Sequence, residues 1–532
     1  MSLTFKRNYT IILLVIIIPS LLIIFLGKQR VIAYTTENRG TESTSISSGY
    51  DYLNSVQLFD DSIVHSVQVI MADDDYDKMI STYQETGIKD YFHADVIIDG
   101  VRIDNIGIRL KGNASLRSAL GGNMRMGGVG DGLMGQRPQV IPEDGMQIPD
   151  QFQRPEFNQQ NQEGGGFQPP TGMNRQQREL PENFQFPAEG DIPGMNPSNQ
   201  MDGEIKIPLM IKFDEFVSGQ TYQGFTAIAI RTYGTSYDEA MLQEPITNRI
   251  ANLVGLPATQ TVYTGFKMND GEEKLFVVSE LVNQVFLDEN FDNNTGVLYK
   301  AELGSTLNYK GDDPSSYTGS FTQQTRKNDA DLLPLISFMK FLEEADESTL
   351  EAELPEWLDV DSFALYLAVN AMVVNTDSMI GMNNNFYLYY DDVSNQFTVL
   401  MWDANESFGK LGGSATYDIT LSEVETGFPG GGGAGRRGMG GGQNVLISRF
   451  LGNEKFRSLY EAKLDLVYQH VCQGDLLEKM VNQYSDLIHS YQTESNLVNL
   501  DAYDQAVDEF LNFINQRRDY LNSIYSKKID IF

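Results

Sequence analysis

Cysteine and histidine are scarce in this sequence. The chain of 532 residues has one cysteine, Cys472, and four histidines at widely separated positions, His65, His93, His470 and His489. A single cysteine excludes an internal disulfide framework and a zinc site built from thiolates, and the scattered histidines do not indicate a transition-metal centre. Any bound metal is therefore expected to be a hard ion, Mg²⁺, Mn²⁺ or Ca²⁺, held by Asp and Asn oxygens.

Basic residues are also few. Lys and Arg number 39 against 73 Asp and Glu, which gives a formal net charge of −34 at pH 7. This balance argues against nucleic acid as a partner, because phosphate binding needs a surface rich in Lys and Arg. The charge fits a self-repelling protein that attracts basic polypeptides, or simply a generally acidic surface. Hydrophobic residues make up 41% of the chain, and its length predicts two or more structural units.

The N-terminus contains one long apolar run, residues 11–26, which follows Lys6 and Arg7. Two interpretations stay open: an uncleaved membrane anchor, or a signal peptide cleaved near residue 33. Both make residues 1–33 a targeting segment and place the rest of the chain outside the cytoplasmic membrane. Residues 34–55 are polar and rich in Ser and Thr, which indicates a tether.

The composition divides the chain further. Residues 56–116 predict a β-rich segment, with the strongest hairpin signal at the Asp99-Gly100 turn. Residues 117–203 are rich in Gly, Met, Gln, Asn and Pro. Such a composition cannot offset its ordering entropy by burial, so we predict a disordered insertion. The Gly-rich loop 428–444 has the same character.

Regular structure is predicted to resume in residues 204–525. "EIKIPLMIKFDEF" reads as an alternating strand with Lys206 and Lys212 on one face, since six residues is an even offset. A hairpin with an Asn-Asp-Gly turn leads to Glu280, and from about residue 329 the chain is mostly helical. A β-rich first half followed by a helix-rich second half predicts an α+β fold with two lobes.

The segment that most suggests chemistry is "NNNFYLYYDDVSNQFTVLMWDANESFG", residues 383–409. It reads as a hairpin of two apolar strands with Asp403 directly after the second. The apolar run "SFALYLAVNAMVVN" precedes it; we expect Asp361 to cap this buried helix, which ends close to Asp377. A buried carboxylate is costly unless it is paired or binds a metal. Protein kinases use this order of helix, Asp, Asn, hairpin and Asp for phosphoryl transfer.

Six motifs in order support a family resemblance: "IGIRLKGNASL", "KIPLMIKF", "VVSELVNQVFL", "GVLYK", "NTDSMIGMNNNFYLYYD" and "MWDANESFG". With them the chain resembles the spore coat protein H (CotH) family of atypical protein kinases. The resemblance implies a divergent protein-kinase-like fold that binds ATP with Mg²⁺ or Mn²⁺ and phosphorylates Ser or Thr of proteins. Carried across by residue, Asp377 matches the catalytic aspartate, Asp403 the metal-binding aspartate, and Asn385 or its neighbour Asn384 the metal-binding asparagine.

The sequence departs from the family pattern after the hairpin. The family usually has a "PWD-x-D" run, and here Met401 and Asn405 occupy the positions of the Pro and the second Asp. An Asn still offers a ligand oxygen, so Asn405 is a further metal candidate on a weakened site.

The candidates for nucleotide binding are less specific. Lys206 or Lys212 is expected to reach the α- and β-phosphates, although lysines on strands are usually solvated. Arg109 and Lys111 in "RLKGN" can approach phosphates through the following Gly turn, and Glu280 resembles the hinge of a kinase or is an ordinary exposed acid.

Three functions from different classes follow. The first is a protein Ser/Thr kinase acting on proteins, among them basic Ser-rich ones, at the cell surface or spore coat. The second is a catalytically weak or inactive surface or coat structural protein, favoured by the scarcity of ATP outside the membrane and by Asn405. The third and weakest is a carbohydrate- or cell-wall-binding protein. Intact Asp377, Asn385 and Asp403 favour the kinase.

Overall fold

A barrel of strands followed by a helix-rich half makes up the part of the chain that the structure describes. This computed structural model describes residues 51–112, 116, 119–120, 206–329, 331–421, 444–492 and 495–529. The predicted targeting segment and nearly all of the tether, the insertion and the Gly-rich loop lie outside these residues and stay predictions. Within the described ranges, no helix is long and apolar enough to span a membrane.

Seven strands form a closed barrel: β2 (His65–Ile70), β3 (Phe92–Ile98), β4 (Val101–Leu110), β5 (Leu209–Lys212), β7 (Ala227–Arg231), β8 (Thr261–Met268) and β9 (Lys274–Ser279). They neighbour one another in the order β2-β3-β4-β5-β7-β9-β8, and a parallel pair between β8 and β2 closes the barrel. Ile108, Ile211 and Ile230 are fully buried in its interior. Because side chains alternate along a strand, their neighbours in sequence lie on the outer face.

Turn chemistry accounts for the hairpins. Asp99 and Gly100 join β3 to β4 with φ of 47° and 83°, and two successive positive φ values suit the right-handed twist of a two-residue hairpin. Asn269 begins the turn between β8 and β9 with φ of 52°. Both predicted hairpins are therefore confirmed. Two short strands, β1 (Asp51–Tyr52) and β6 (Thr221–Tyr222), pair separately in parallel.

The strand predicted around Lys206 and Lys212 is shorter than expected. β5 begins at Leu209, after Pro208, which has no N–H to give to the sheet. Lys206 therefore precedes the strand, and the expectation that both lysines occupy one strand face is wrong. A helix, α1 (Asp73–Thr86), lies between β2 and β3 in the chain.

The second half contains a four-stranded sheet and most of the helices. The sheet has the order β11-β10-β12-β13, with β10 (Val297–Ala301), β11 (Phe321–Gln323), β12 (Phe386–Asp391) and β13 (Gln396–Met401). The helices are α2 (Gln243–Leu253), α3 (Gln284–Asn290), α4 (Leu333–Glu344), α5 (Glu347–Trp357), α6 (Val360–Met372), α7 (Val445–Gly452), α8 (Glu454–Val467), α9 (Leu476–Gln492) and α10 (Leu500–Ile529). Short 3₁₀ turns span Pro314–Tyr317 and Lys327–Asp329, and a π-turn spans Tyr468–Cys472. The predicted mixed α and β composition, β-rich first and helix-rich second, is confirmed.

Helix α6 is the buried central helix that the sequence predicts. Every side chain from Phe363 to Met372 is buried. Its N-cap is Asp359, whose carboxylate accepts a hydrogen bond from the Ser362 N–H at 3.0 Å. The expectation that Asp361 caps the helix is wrong by two residues: Asp361 lies in the first turn and pairs with Lys463 at 2.6 Å.

An apolar cluster connects the outer face of the barrel to the four-stranded sheet. It contains Ala229 of β7, Leu298 of β10 and Leu400 of β13, together with Trp402 and Leu281. Leu281 belongs to the segment that leaves the last barrel strand, β9. The barrel interior and the helical half each have a separate apolar core, so this cluster lies where the two meet.

Candidate active site

Asp377 lies in the loop between α6 and β12 and is held by two asparagines. Asn385 donates its side-chain amide to Oδ2 of Asp377 at 2.8 Å, and Asn384 donates to Oδ1 at 3.2 Å. Burial raises the pKa of Asp377 to about 7, with a further contribution from the negative charges of Asp403 and Glu406, while the amides oppose the shift. A carboxylate that exchanges its proton near neutral pH is suited to accept a proton from a hydroxyl group.

Asp403 follows β13 and lies beside this loop. The amide of Asn385 that holds Asp377 is also 3.4 Å from the carbonyl oxygen of Asp403. Asn383, Asn385 and Asp403 have φ of 51°, 52° and 55°, a left-handed conformation that is uncommon outside glycine and clusters at functional sites. The structure therefore brings Asp377, Asn384, Asn385 and Asp403 together, in the arrangement expected from the sequence.

The carboxylate of Asp403 forms an ion pair with Arg231, the last residue of β7. The same guanidinium lies 2.6 Å, through Nε, from Oε2 of Glu244 in α2. Burial raises the pKa of Glu244, and the Arg231 charge opposes this shift. Arg231 of β7 thus links Glu244 of α2 to Asp403, which follows the β12–β13 hairpin.

Basic side chains line the outer face of the barrel beside these groups. Arg109 of β4 pairs in register with Met210 of β5, and Met210 with Ala229 of β7. Lys111 follows β4, and its N–H bonds to the Pro208 carbonyl at 3.0 Å. The chain segments around Lys111 and Pro208 therefore meet at the end of the barrel where Arg231 lies. In protein kinases, a Gly-rich connection between two such strands covers the phosphates.

Trp402 lies close to two cations of this face. The Lys111 ammonium lies 4.9 Å from the centre of the indole ring, and the Arg231 guanidinium lies 5.4 Å from it. The Lys111 charge, like that of Arg231, opposes the rise that burial causes in the pKa of Glu244. Of the lysines predicted from the sequence, Lys111 is the one that the structure places beside Arg231 and Trp402.

The remaining predicted nucleotide residues have other contacts. Arg109 lies against the Tyr91 ring at 5.1 Å and donates to Met210 Sδ at 3.3 Å. The Lys212 ammonium, which lies on the outer face of the barrel like Arg109, pairs with Glu215 at 2.8 Å. Lys206 is buried 3.2 Å from Glu239, and burial lowers its pKa. Whether these residues contact a nucleotide stays a prediction.

Glu280 lies where the chain leaves the barrel, as a hinge would. Its carboxylate is buried, however, and accepts a hydrogen bond from the Gln260 N–H at 3.0 Å. Burial raises the pKa of Glu280 to about 7. The expectation of an exposed acid is wrong. The two residues that follow Glu280, Leu281 and Val282, belong to the apolar cluster between the barrel and the four-stranded sheet.

Asn405 and Glu406 lie against the loop between β7 and α2. A Cβ placed on Gly234 would lie 2.1 Å from Oε1 of Glu406 and 3.2 Å from Nδ2 of Asn405, so a larger residue here would have to displace the Glu406 carboxylate. Oε1 of Glu406 accepts a hydrogen bond from the Thr235 N–H at 2.5 Å. Asn405 is thus turned toward Gly234, and a role for it as metal ligand stays a prediction.

The oxygen donors fit a hard divalent metal. Asp377 and Asp403 provide two carboxylates, and the neighbouring asparagines provide amide oxygens, which suit Mg²⁺ or Mn²⁺. Asp403 is the more accessible partner of this ion pair, with 28% of its side chain exposed against 8% for Arg231. Among the described residues, no group of three or more His, Cys, Asp and Glu is arranged to hold a metal. Two carboxylates and two amides suit a metal that completes its coordination with oxygens of a ligand such as a triphosphate, as Mg²⁺ often does.

Sequence reasoning missed Arg231, Glu244 and Glu406. The strand "AIAIR", residues 227–231, could have indicated the first two. Protein kinases have a V-A-I-K strand whose Lys pairs with a Glu of the next helix, and here Arg231 occupies the place of that Lys. The strand pattern is therefore present in this sequence, with Arg in place of the Lys of the V-A-I-K pattern.

One comparison with known proteins, the match to a family profile, agrees with the resemblance. The sequence profile of the family described as CotH kinase protein matches residues 202–521, more than half of the chain. No curated protein matches the chain. Among solved structures, the Helicobacter pylori proinflammatory kinase CtkA is 12% identical, with 57% of this chain and 91% of that chain covered and a TM-score of 0.27. A Shewanella oneidensis MR-1 toxin–antitoxin complex of HipA, HipB and operator DNA is 11% identical over 55% and 60% of the chains, with a TM-score of 0.23. TM-scores this low establish no common fold.

Proposed function

Because this chain belongs to the CotH kinase family, we propose that it transfers the γ-phosphate of ATP to Ser or Thr of protein substrates. The observation that supports this most directly is the continuous set of contacts from Asp377 through Asn385 to Asp403, and from Asp403 through Arg231 to Glu244. Phosphoryl transfer needs a proton acceptor, a metal-holding carboxylate and a cation for the phosphates within one site. These contacts unite the three.

Each residue has a chemical task in this proposal. Asp377 orients the acceptor hydroxyl and takes its proton, and its pKa of about 7 suits that role. Asp403 and Asn385 would hold Mg²⁺ or Mn²⁺, which when bound neutralises the charge of the phosphates. Arg231 and Lys111 would bind phosphate oxygens, and Glu244 holds Arg231 in position.

The composition supports a proposal for the protein substrate and for the location. The net charge of −34 favours basic substrates, such as Ser-rich surface or coat proteins. The apolar run at residues 11–26 favours an extracytoplasmic site of action, with attachment to the membrane if the run is not cleaved. Both belong to the proposal.

A catalytically weak or inactive structural protein is the second candidate. It is favoured by one feature of the site: Asn405 replaces the family's second carboxylate and is turned toward Gly234. Replacing Asn405 with Asp separates the two candidates. If Asn405 is a weakened ligand, Asn405→Asp should tighten Mn²⁺ binding in the presence of ATP and raise transfer.

The test of the proposal is a transfer assay with the full chain. The protein is incubated with labelled ATP, Mg²⁺ or Mn²⁺, and either a basic Ser-rich peptide or the same peptide with every Ser replaced by Tyr. The proposal predicts label on the Ser peptide only. Absence of label with both metals, in wild type and in Asn405→Asp, would favour the structural protein.

A further inference from the structure

We propose that Arg231 makes metal binding at Asp403 depend on nucleotide. Without nucleotide, the guanidinium holds the Asp403 carboxylate; with nucleotide, the phosphates take the guanidinium and leave Asp403 available to a divalent metal. The inference rests on the proposed function and adds a mode of regulation to the same site.

The two ion pairs of Arg231 differ in freedom. Glu244 is 4% exposed and belongs to helix α2, which is held in place by the Asn248 side chain donating to Thr259 at 3.0 Å. Asp403 is 28% exposed and lies in a loop. An exchange of partners by Arg231 is therefore expected at Asp403, while the pair with Glu244 persists.

Two cations lie near the carboxylates of this region. One guanidinium is shared by two carboxylates, and Lys111 stands on Trp402 beside them. A triphosphate would compete with Asp403 for the guanidinium and gain the Lys111 charge as well. A metal arriving alone must compete with the guanidinium for Oδ1 of Asp403, and loss of such an ion pair weakens binding by about 5-fold. By linkage, nucleotide and metal then strengthen each other's binding by the same factor.

The arrangement depends on arginine rather than on positive charge alone. Nη2 of the guanidinium donates a hydrogen bond to Oδ1 of Asp403, while Nε lies 2.6 Å from Oε2 of Glu244 in an ion pair without hydrogen-bond geometry. A lysine has one ammonium group and lacks this fork of separate donors. Arg231→Lys therefore keeps the charge but removes the bridge, so Asp403 should accept a metal without nucleotide.

The test measures Mn²⁺ binding by the full chain through the electron paramagnetic resonance signal of free Mn²⁺. Wild type, Arg231→Lys and Arg249→Lys are titrated with Mn²⁺ alone and with a saturating non-hydrolysable ATP analogue. Arg249 lies on the same helix as Glu244 but pairs with Asp61 at 3.5 Å, which makes it a matched control. Arg231→Lys should bind Mn²⁺ alone about 5-fold more tightly than wild type, with a smaller gain from nucleotide. Arg249→Lys should match wild type.

A second measurement covers the case that Arg231→Lys does not fold. With metal removed by a chelator, Asp403→Asn should bind ATP about 5-fold more tightly than wild type, because it releases Arg231. Glu406→Gln removes a neighbouring charge that has no ion pair with Arg231 and should change ATP affinity less. Equal affinities for Mn²⁺ in Arg231→Lys and wild type, or for ATP in Asp403→Asn and Glu406→Gln, would overturn this inference. A wild type that binds no nucleotide with any metal would instead overturn the proposed function.

Discussion

Arg231 and Glu244 form an ion pair with 2.6 Å between Nε and Oε2. Arg231 is the last residue of a barrel strand, and Glu244 lies in the first turn of the following helix, α2. Both side chains are nearly enclosed, with 8% and 4% exposed. A buried pair of this kind contributes less to stability than to the placement of its charges, because desolvation offsets most of the attraction. Here the placement brings the guanidinium to Asp403.

Glu244→Gln should therefore impair function more than folding. The Gln cannot hold the guanidinium by charge, so Arg231 is expected to turn further toward Asp403. We expect kcat/KM for ATP to fall by roughly 10- to 100-fold, the usual effect of misplacing a group that orients phosphates. Steady-state kinetics at varied ATP measure it. Glu478→Gln, which removes a different helix carboxylate from Arg518, is the control and should leave kcat/KM close to wild type.

Gly234→Ala tests the contact between the β7–α2 loop and the segment after Asp403. An Ala Cβ would overlap Oε1 of Glu406, and we expect the free energy of unfolding to fall by about 1–3 kcal/mol. Glu406→Ala in the same chain removes the overlap. Denaturant unfolding of the two single variants and the double variant should give a coupling of at least about 1 kcal/mol. Additive effects would mean that the two residues are not in contact.

The pKa of Asp377 leads to a pH-dependent effect on stability. The folded-state pKa is raised to about 7 from the ordinary value of 3.8, so the stability that the protonated carboxyl provides is present below pH 3.8 and is lost as the pH rises through about 7. Asn does not titrate, and Asp377→Asn should gain stability relative to wild type across that range. Denaturant unfolding without divalent metal, at pH 5 and pH 8, measures the difference. The general effect of the acidic surface cancels in this comparison. A difference that is constant or shrinks toward pH 8 would contradict the assignment.

Arg517 supports the end of the helix that leads to Asp377. Its guanidinium donates to the carbonyl oxygens of Ala371 and Met372 at 2.7 and 3.1 Å, and to those of Ala415 and Tyr417 at 2.9 and 2.7 Å. Arg517→Met leaves these buried carbonyls without their donor, and we expect the free energy of unfolding to fall by about 3–5 kcal/mol.

The control for Arg517 is Lys479→Met. Lys479 is exposed and pairs with Asp475 one helical turn away, so its loss should change the free energy of unfolding by less than about 0.5 kcal/mol. Thermal or denaturant unfolding measures both variants. A similar small loss in Arg517→Met would show that α6 ends stably without the guanidinium.

Local patterns in the sequence predicted the local parts of the structure. The turn at Asp99-Gly100 and the hairpin before Asp403 depend on residues close together in the chain, and both form as expected. The order of Asp377, Asn385 and Asp403 also spans a short segment, so it could be recognised from a template. The cap of α6 was misplaced because Asp359 and Asp361 both resemble an N-cap, and only the backbone conformation distinguishes them.

Pairings between distant residues could not be predicted in this way. Arg231 and Asp403 are 172 positions apart, and their contact depends on how the barrel packs against the four-stranded sheet. The parallel pair of β2 and β8 that closes the barrel is likewise set by register over a long connection. The sequence favours Lys206 and Lys212 because a charged residue in a strand-like pattern is visible there, whereas Arg231 is identified by its partners in the fold.

The most direct measurement of the central claim compares Asp403→Ala and Asp377→Asn with wild type. Calorimetry measures the affinity for ATP in the presence of Mn²⁺, and a second assay measures the transfer of labelled phosphate to a basic Ser-rich peptide. Asp403 is assigned to the metal, so Asp403→Ala should lose metal-dependent ATP binding and transfer together. Asp377 is assigned to the acceptor hydroxyl, so Asp377→Asn should keep ATP binding within a few-fold while transfer falls by roughly 10²- to 10⁴-fold. Wild type that neither binds ATP with Mn²⁺ or Mg²⁺ nor transfers phosphate, or two variants that transfer as well as wild type, would contradict the assignment of this site to phosphoryl transfer.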